Sequence, residues 1–243
     1  MSLNNILPFV STLIMLVFTG SVLQRYVVRR NPAFLFWGIG LAMFGSGSFA
    51  EAYLALAWSP VIFFIWYLFG AALNAAWLGH GTLYLLVKKR WVHAVTAVLV
   101  LGSLVAGALM LTTPLDGGAY RAGLAISQQY REIMPPGAPV RMTTPFFNIY
   151  GLLTLVGGAI YSAFLFWRKR VLPNRVIGNV LIATGALSIG FASSLTRLGI
   201  GEYLYLGELM AAILMYSGFR LASGPRSEPV PATEPAAATT TSR

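Results

Sequence analysis

Long stretches of this chain carry no charged side chain, and this feature constrains the fold more than any other. Of its 243 residues, 57% are hydrophobic and only 10% are charged. The charges fall in short clusters between apolar runs of about 20 residues, the length that a helix needs to cross the hydrocarbon core of a bilayer. The alternating polarity of a membrane β-barrel is absent. The sequence therefore predicts an all-α, polytopic membrane protein.

Seven apolar stretches are long enough to be membrane-spanning helices. They cover residues 6–24, 33–58, 60–87, 91–111, 145–167, 176–196 and 203–219. Basic clusters follow the first, third, fifth and seventh stretches: Arg25, Arg29 and Arg30; Lys88, Lys89 and Arg90; Arg168, Lys169, Arg170 and Arg175; Arg220 and Arg226. Because basic loops stay in the cytoplasm, we predict a seven-transmembrane-helix bundle with its N-terminus outside and its C-terminus cytoplasmic. The net charge of +10 is then explained by anchors that contact anionic lipid, without nucleic acid as a partner.

The predicted transmembrane domain covers residues 1–222, and a disordered cytoplasmic tail rich in Pro, Ala, Thr and Ser covers 223–243. An outer loop is expected at 112–144. Its residues 123–134 are predicted to form a short helix that ends before the prolines at 135, 136 and 139. The first stretch has its basic residues after it, so we expect a retained first helix. The chain is predicted to be a multi-pass protein of the inner (plasma) membrane.

Glycines recur in the second, fifth and sixth stretches, where they predict close helix contacts or, as the alternative, the wall of a cavity. They are Gly38, Gly40, Gly45 and Gly47; Gly151, Gly157 and Gly158; and Gly178, Gly185 and Gly190.

Polar residues inside the apolar stretches are the candidate functional residues, because burying them in lipid is costly unless they are paired or hydrated. A helix rises about 1.5 Å per residue, which places Glu208 and Asn74 near the middle of the bilayer. The same count places His80 nearer the cytoplasm and Glu51 close to the outer face. We predict that these four residues bind a ligand or titrate protons. The alternative for each is a neutral, hydrogen-bonded packing role.

Two further charged residues, Arg197 and Glu202, flank the outer edge and are predicted to form a polar cluster. The absence of cysteine excludes disulfides and cysteine metal sites. The only two histidines, His80 and His93, do not form a metal site, so neither a metal nor a cofactor is predicted. A retinal Schiff base needs a lysine in the middle of a helix, whereas the three lysines lie at the predicted cytoplasmic edge.

The layout resembles the seven-helix N-terminal membrane sensor region of bacterial histidine kinases and diguanylate cyclases. The features that support this resemblance are the predicted topology, the segment LQRYVVRR at residues 23–30 and the carboxylate of Glu51 late in the second stretch. The resemblance covers about residues 1–222. It implies a stand-alone sensor-like module, or a subunit that signals through a membrane-protein partner or a second copy of itself.

Three functions stay open from the sequence. The favoured one is a non-enzymatic sensor-like or accessory subunit that binds a small ligand or a proton within the helix bundle, since no catalytic motif is recognisable. The second is a small solute transporter with a midplane site near Asn74 and Glu208. The third is an intramembrane lipid-modifying enzyme that uses Glu51, His80 or Glu208.

Overall fold

The computed structural model describes residues 3–169, 173–197 and 203–224. These residues form helices and connections without a strand, which confirms the predicted all-α architecture. Eight helices result when helical segments that continue without a break are joined. They are α1 (Leu3–Arg29), α2 (Pro32–Leu54), α3 (Pro60–Leu86), α4 (Trp91–Leu111), α5 (Ile126–Ile133), α6 (Pro139–Arg168), α7 (Pro173–Arg197) and α8 (Leu204–Ala222).

Six of the described helices, α1, α2, α3, α4, α6 and α7, are long and apolar enough to cross a membrane. Their outward faces are apolar: Leu13, Leu104, Phe146 and Leu153 are 64%, 65%, 76% and 68% exposed. Such a surface is stable in lipid and not in water. The chain is therefore built as a multi-pass membrane protein. The 19-residue helix α8 is outside this set, so a seventh membrane span and the orientation of the termini stay predictions.

Local sequence signals account for the starts of α2 and α3. Both helices begin with a proline at their first position, where a missing N–H costs no hydrogen bond. Asn31 caps α2 by accepting a hydrogen bond from the backbone N–H of Ala33 at 3.0 Å. Ser59 caps α3 by accepting one from Ile62 at 3.4 Å.

The two largest differences from the predicted helix boundaries are in α1 and α6. Helix α1 continues to Arg29, past the predicted end at residue 24, because arginine side chains reach polar surroundings while their helix continues. Helix α6 begins at Pro139 instead of residue 145, since proline is compatible with the first turn of a helix. The short helix predicted within 123–134 is present as α5. Of the tail predicted at 223–243, residues 225–243 lie outside the described residues.

Glycines allow the closest helix contacts, as predicted for the second and sixth stretches. A Cβ atom on Gly178 of α7 would lie 2.6 Å from the carbonyl oxygen of Gly218 in α8. A Cβ atom on Gly47 of α2 would lie 2.5 Å from Cα of Gly70 in α3. Gly190 matches the alternative prediction, because a Cβ atom there would meet no atom within 4 Å and the residue lines a cavity.

Candidate functional site

A cavity of about 770 Å³ lies between α2, α3, α6, α7 and α8, with α5 at one end. Each of the five long helices contributes at least one polar side chain to its wall. These side chains include Ser48, Glu51, Tyr67, Asn74, Thr144, Asn148, Ser193, Ser194 and Glu208. Apolar side chains, among them Phe44, Leu78, Leu155, Ile189 and Met215, form much of the remaining wall. A cavity of this size and composition is typical of a site for a small organic ligand.

Glu51 belongs to the last turn of α2 and is only 4% exposed. Its Oε1 accepts a hydrogen bond of 2.9 Å from the indole Nε1 of Trp66 in α3. Its Oε2 is buried and has no donor within hydrogen-bond distance among the described residues. The indole of Trp66 therefore holds one half of this carboxyl group in place.

Glu208 is the fifth residue of α8 and is 7% exposed. Its Oε2 is also buried without a donor, and the hydroxyl of Ser48 lies beside the carboxyl group. The carboxyl groups of Glu208 and Glu51 are close enough to interact directly. Two carboxylates in contact in a medium of low dielectric repel each other strongly. The pair therefore needs a shared proton or a cation.

The contact between Glu51 and Glu208 corrects the depths expected from the sequence. Counting from Arg220 placed Glu208 near the middle of the bilayer, whereas Glu51 was expected close to the outer face. The end of α2 and the beginning of α8 come together in the structure, so both carboxyl groups lie at one level. A count along one helix gives no information on the tilt of that helix or on where its neighbour begins.

Asn74 lines the same cavity, so the structure brings together three of the four candidate residues. Its Nδ2 donates a hydrogen bond of 2.9 Å to the backbone carbonyl of Gly70, one turn earlier in α3. This bond lies within a single helix, so the side chain stabilises α3 locally at the cavity wall.

Two segments with π-helical hydrogen bonding border the cavity. One covers Trp66–Leu73 in α3, and the other covers Leu152–Val156 in α6. A π-helical turn contains more residues than an α-helical turn, and such segments within α-helices occur frequently at functional sites. Gly70 of the first segment and Leu155 of the second both line the cavity. The two irregular helix segments therefore line the same cavity as the carboxyl pair.

His80, the fourth candidate, lies outside this cavity and is fully buried. Its Nδ1 is 2.7 Å from the hydroxyl of Tyr150 in α6, and its Nε2 is 2.8 Å from Oγ1 of Thr96 in α4. The ring of Phe36 packs against the imidazole edge to face, with centroids 4.7 Å apart. Both ring nitrogens thus have partners, and the residue joins three helices.

A short chain of hydrogen bonds connects this histidine to the protein surface. The hydroxyl of Tyr84 is 3.0 Å from Oγ1 of Thr96 and 3.0 Å from Nδ1 of the exposed His93. The two histidines are therefore linked through hydroxyl groups. Among the described residues, no group of three or more acidic or histidine side chains is arranged to hold a metal ion.

The side chains of the predicted outer cluster, Arg197 and Glu202, lie outside the part of the chain that the structure describes. Arg197 is the last residue of α7 and its side chain is not among the described ones. Glu202 lies outside the described residues.

The role of Trp66 was not predicted from the sequence. The structure buries this residue to 5% exposure and bonds it to Glu51. A sequence signal was available: only residues 55–59 separate α2 from α3, so the two helices are antiparallel neighbours. The end of α2 therefore had to lie near the beginning of α3.

The loop between α4 and α6 covers one end of the cavity. The hydroxyl of Tyr120 donates a hydrogen bond of 2.8 Å to the carbonyl of Leu54, which ties the loop to α2. Burial raises the pKa of this phenol above its usual value. The buried amide of Gln129 bonds the backbone of Arg121 and Leu124 and fixes α5 within the loop. Helix α5 supplies the cavity wall with Ser127, Gln128, Tyr130 and Arg131.

Comparisons of the chain with known protein families, with curated proteins and with solved structures found no match.

Proposed function

We propose that this chain is a sensor-like or accessory membrane protein that binds a small ligand or a proton in the cavity. The observation that supports this function is the pair of carboxyl groups of Glu51 and Glu208, which line the cavity and whose buried Oε2 atoms have no donor within hydrogen-bond distance among the described residues. A buried polar atom without a partner costs about 1–3 kcal/mol. A bound cation or proton would remove this cost.

The proposed topology has seven spans, with α8 as the seventh, an external N-terminus and a cytoplasmic C-terminus in the plasma membrane of a bacterium. The packing of α8 supports its role as the seventh span, because the helix lies along α7 at Gly178 and Gly218. Phe219 of α8 also packs against Phe18 of α1, with ring centroids 5.3 Å apart. Glu208 belongs to the buried face of α8, together with Ala211, Ala212 and Met215, and this burial within the bundle makes its carboxyl group acceptable in a bilayer.

The mechanism proposed for signalling is a shift of α8 against α2. Repulsion between the carboxyl groups of Glu51 and Glu208 favours separation of the two helices, and a proton or cation between them favours approach. A ligand changes the equilibrium only through such a difference between two states. Because α8 packs on α1 and α7, its movement would reach the ends of these helices and a partner protein or second copy, as the resemblance to kinase sensor regions implies.

A solute transporter is the second candidate function, and the two π-helical segments favour it. Interrupted helices at a central site are typical of transporters, whose helices rearrange around a bound substrate. The third candidate, a lipid-modifying enzyme, has less support because His80 lies outside the cavity and both its nitrogens are bonded.

Cysteine labelling tests whether the cavity is a hydrated binding site. The chain contains no cysteine, so a single introduced thiol is the only reactive one. We expect Ser193→Cys, at the cavity wall, to react in membrane vesicles with a small water-soluble methanethiosulfonate reagent. The matched control Leu153→Cys, on an apolar exposed face of α6, should stay unreactive because a thiolate does not form in lipid.

Equal, slow labelling of both variants would mean a dry cavity and would contradict the proposed function. A second measurement separates the two candidate functions: purified protein in liposomes with a proton gradient, monitored by a pH-sensitive dye. Proton or solute flux that Glu208→Gln abolishes would assign the transporter function. A labelled cavity without flux would assign the sensor-like function.

A further inference from the structure

We infer that the ligand of this cavity is an organic cation, a molecule with an ammonium head and an apolar body. The inference rests on the proposed function and specifies its ligand class. It begins from charge: Glu51 and Glu208 both line the cavity and are more than nine-tenths buried, and each has a buried oxygen with no donor within hydrogen-bond distance among the described residues. Carboxyl groups in this state attract a cation that can donate hydrogen bonds.

The described part of the cavity wall supplies no counter-ion to this pair. Its one basic side chain is Arg131 of α5, which is exposed and lies over the ring of Tyr130, with Cζ 5.9 Å from the centroid. The one ion pair among the described residues, Arg121 with Glu132, is at the surface. No basic side chain among the described residues forms an ion pair with Glu51 or Glu208, and a ligand can supply that positive charge.

Aromatic rings lie beside the carboxyl groups. Trp66, Tyr67 and Tyr130 line the cavity as a cluster, with ring centroids separated by 6.0 Å, 5.7 Å and 6.3 Å. Aromatic faces attract ammonium groups, above all quaternary ones. The cluster already accommodates a cation of the protein itself, because the guanidinium of Arg141 lies 5.4 Å from the centre of the Tyr130 ring.

The size and the remaining lining indicate more than a bare ion. A metal ion or a proton needs far less than about 770 Å³. Away from the carboxyl groups, the wall contains Leu78, Leu155, Val156, Ile189 and Met215, which suit an alkyl or aryl body. The charge, the rings and the apolar wall together match an alkylammonium compound.

The test measures protection of Ser193→Cys from the methanethiosulfonate reagent by three probes of similar length: hexylammonium, hexanol and heptanoate. We expect hexylammonium to slow labelling at concentrations at which hexanol and heptanoate have no effect. Glu51→Gln and Glu208→Gln, each combined with Ser193→Cys, should raise the half-protecting concentration at least tenfold. The control Glu132→Gln, which removes a carboxylate from the protein surface, should leave it unchanged.

Equal protection by all three probes, or protection unaltered in both carboxyl variants, would overturn the organic-cation inference while the proposed function stands. Failure of Ser193→Cys to label at all would overturn both. Folding of the variants is checked by the labelling rate without probe, and each single variant provides an independent measurement.

A lipid headgroup could supply the same ammonium chemistry as a free amine. Protein in nanodiscs of phosphatidylglycerol alone is therefore compared with protein in nanodiscs that also contain phosphatidylethanolamine. Slower labelling with phosphatidylethanolamine, lost in Glu208→Gln, identifies a lipid as the source of the ammonium group. Equal labelling in both nanodiscs identifies a free amine.

Discussion

Two polar clusters lie inside the helix bundle, and their hydrogen bonding distinguishes them. His80 is fully buried, has partners on both ring nitrogens and is packed against Phe36. Glu51 and Glu208 are nearly as deeply buried, yet each has an oxygen without a donor at the wall of a cavity of about 770 Å³. A saturated cluster holds helices together, and an unsaturated one is available to a ligand.

The clusters also differ in the helices that they connect. His80 joins α3 to α4 and α6 through hydroxyl groups, so it opposes separation of these helices. The carboxyl groups of Glu51 and Glu208 lie between α2 and α8. When both are ionised, their mutual repulsion favours separation of these two helices. Substitutions in the two clusters should therefore change stability to different extents, and four variants test this comparison.

The largest loss of stability is expected for His80→Ala. This change removes two hydrogen bonds and leaves a buried void, at a cost of about 3 kcal/mol in the free energy of unfolding. The thermal unfolding midpoint in detergent measures it. The exposed His93, bonded only through Tyr84, is the matched position, and His93→Ala should cost less than about 0.5 kcal/mol. Similar losses for the two variants would remove the structural role assigned to His80.

A smaller loss is expected for Trp66→Phe, which removes the indole N–H that donates to Glu51. A hydrogen bond to an ionised group is worth about 1.5–3 kcal/mol, and one between neutral groups about 1 kcal/mol. The natural control is Trp77→Phe, because Trp77 donates to the neutral hydroxyl of Ser103 at 3.2 Å. Unfolding midpoints that fall equally in both variants would indicate that Glu51 carries no negative charge.

Tyr120→Phe should cost about 1 kcal/mol, because the loop that covers the carboxyl cavity loses its hydrogen bond to Leu54. Burial raises the pKa of this phenol, so the folded loop favours the neutral form. The stabilisation is therefore complete below the usual phenol pKa of about 10 and is lost as the pH rises through the raised value. The difference in unfolding midpoint between wild type and Tyr120→Phe, followed from neutral to alkaline pH, should shrink accordingly. A difference independent of pH would show that the phenol has the same pKa in the folded and unfolded states, which would contradict its burial in the folded loop.

The smallest effect on stability is expected for Glu208→Gln. The amide keeps the shape of the side chain, removes one charge from the pair and can donate to Glu51, so the unfolding free energy should change by less than about 1 kcal/mol or increase. The control is Glu132→Gln, whose surface ion pair with Arg121 contributes less than about 1 kcal/mol. A loss as large as that of His80→Ala would place the carboxyl pair among the structural clusters.

Part of the site follows from the sequence. Glu51, Asn74 and Glu208 were recognisable as polar residues within apolar stretches, and the structure places all three at one cavity. The pairing of Glu208 with Glu51 was not predictable from depth alone, since the tilt and the starting points of neighbouring helices set it. His80 follows Asn74 by six residues, which on a regular helix places the two side chains about 120° apart. The position of His80 outside the cavity that Asn74 lines agrees with this angle.

The sequence by itself determined that this chain forms apolar helices of membrane-spanning length, because each such helix satisfies its backbone hydrogen bonds internally and needs only an apolar surrounding. Capping residues such as Asn31 and Ser59 likewise act within a few residues of chain. Only the tertiary structure decided which polar groups meet. The partners of Glu51 and of His80 belong to different helices, so helix packing determines that both ring nitrogens of His80 have partners, whereas the second carboxyl oxygen of Glu51 has no donor within hydrogen-bond distance among the described residues.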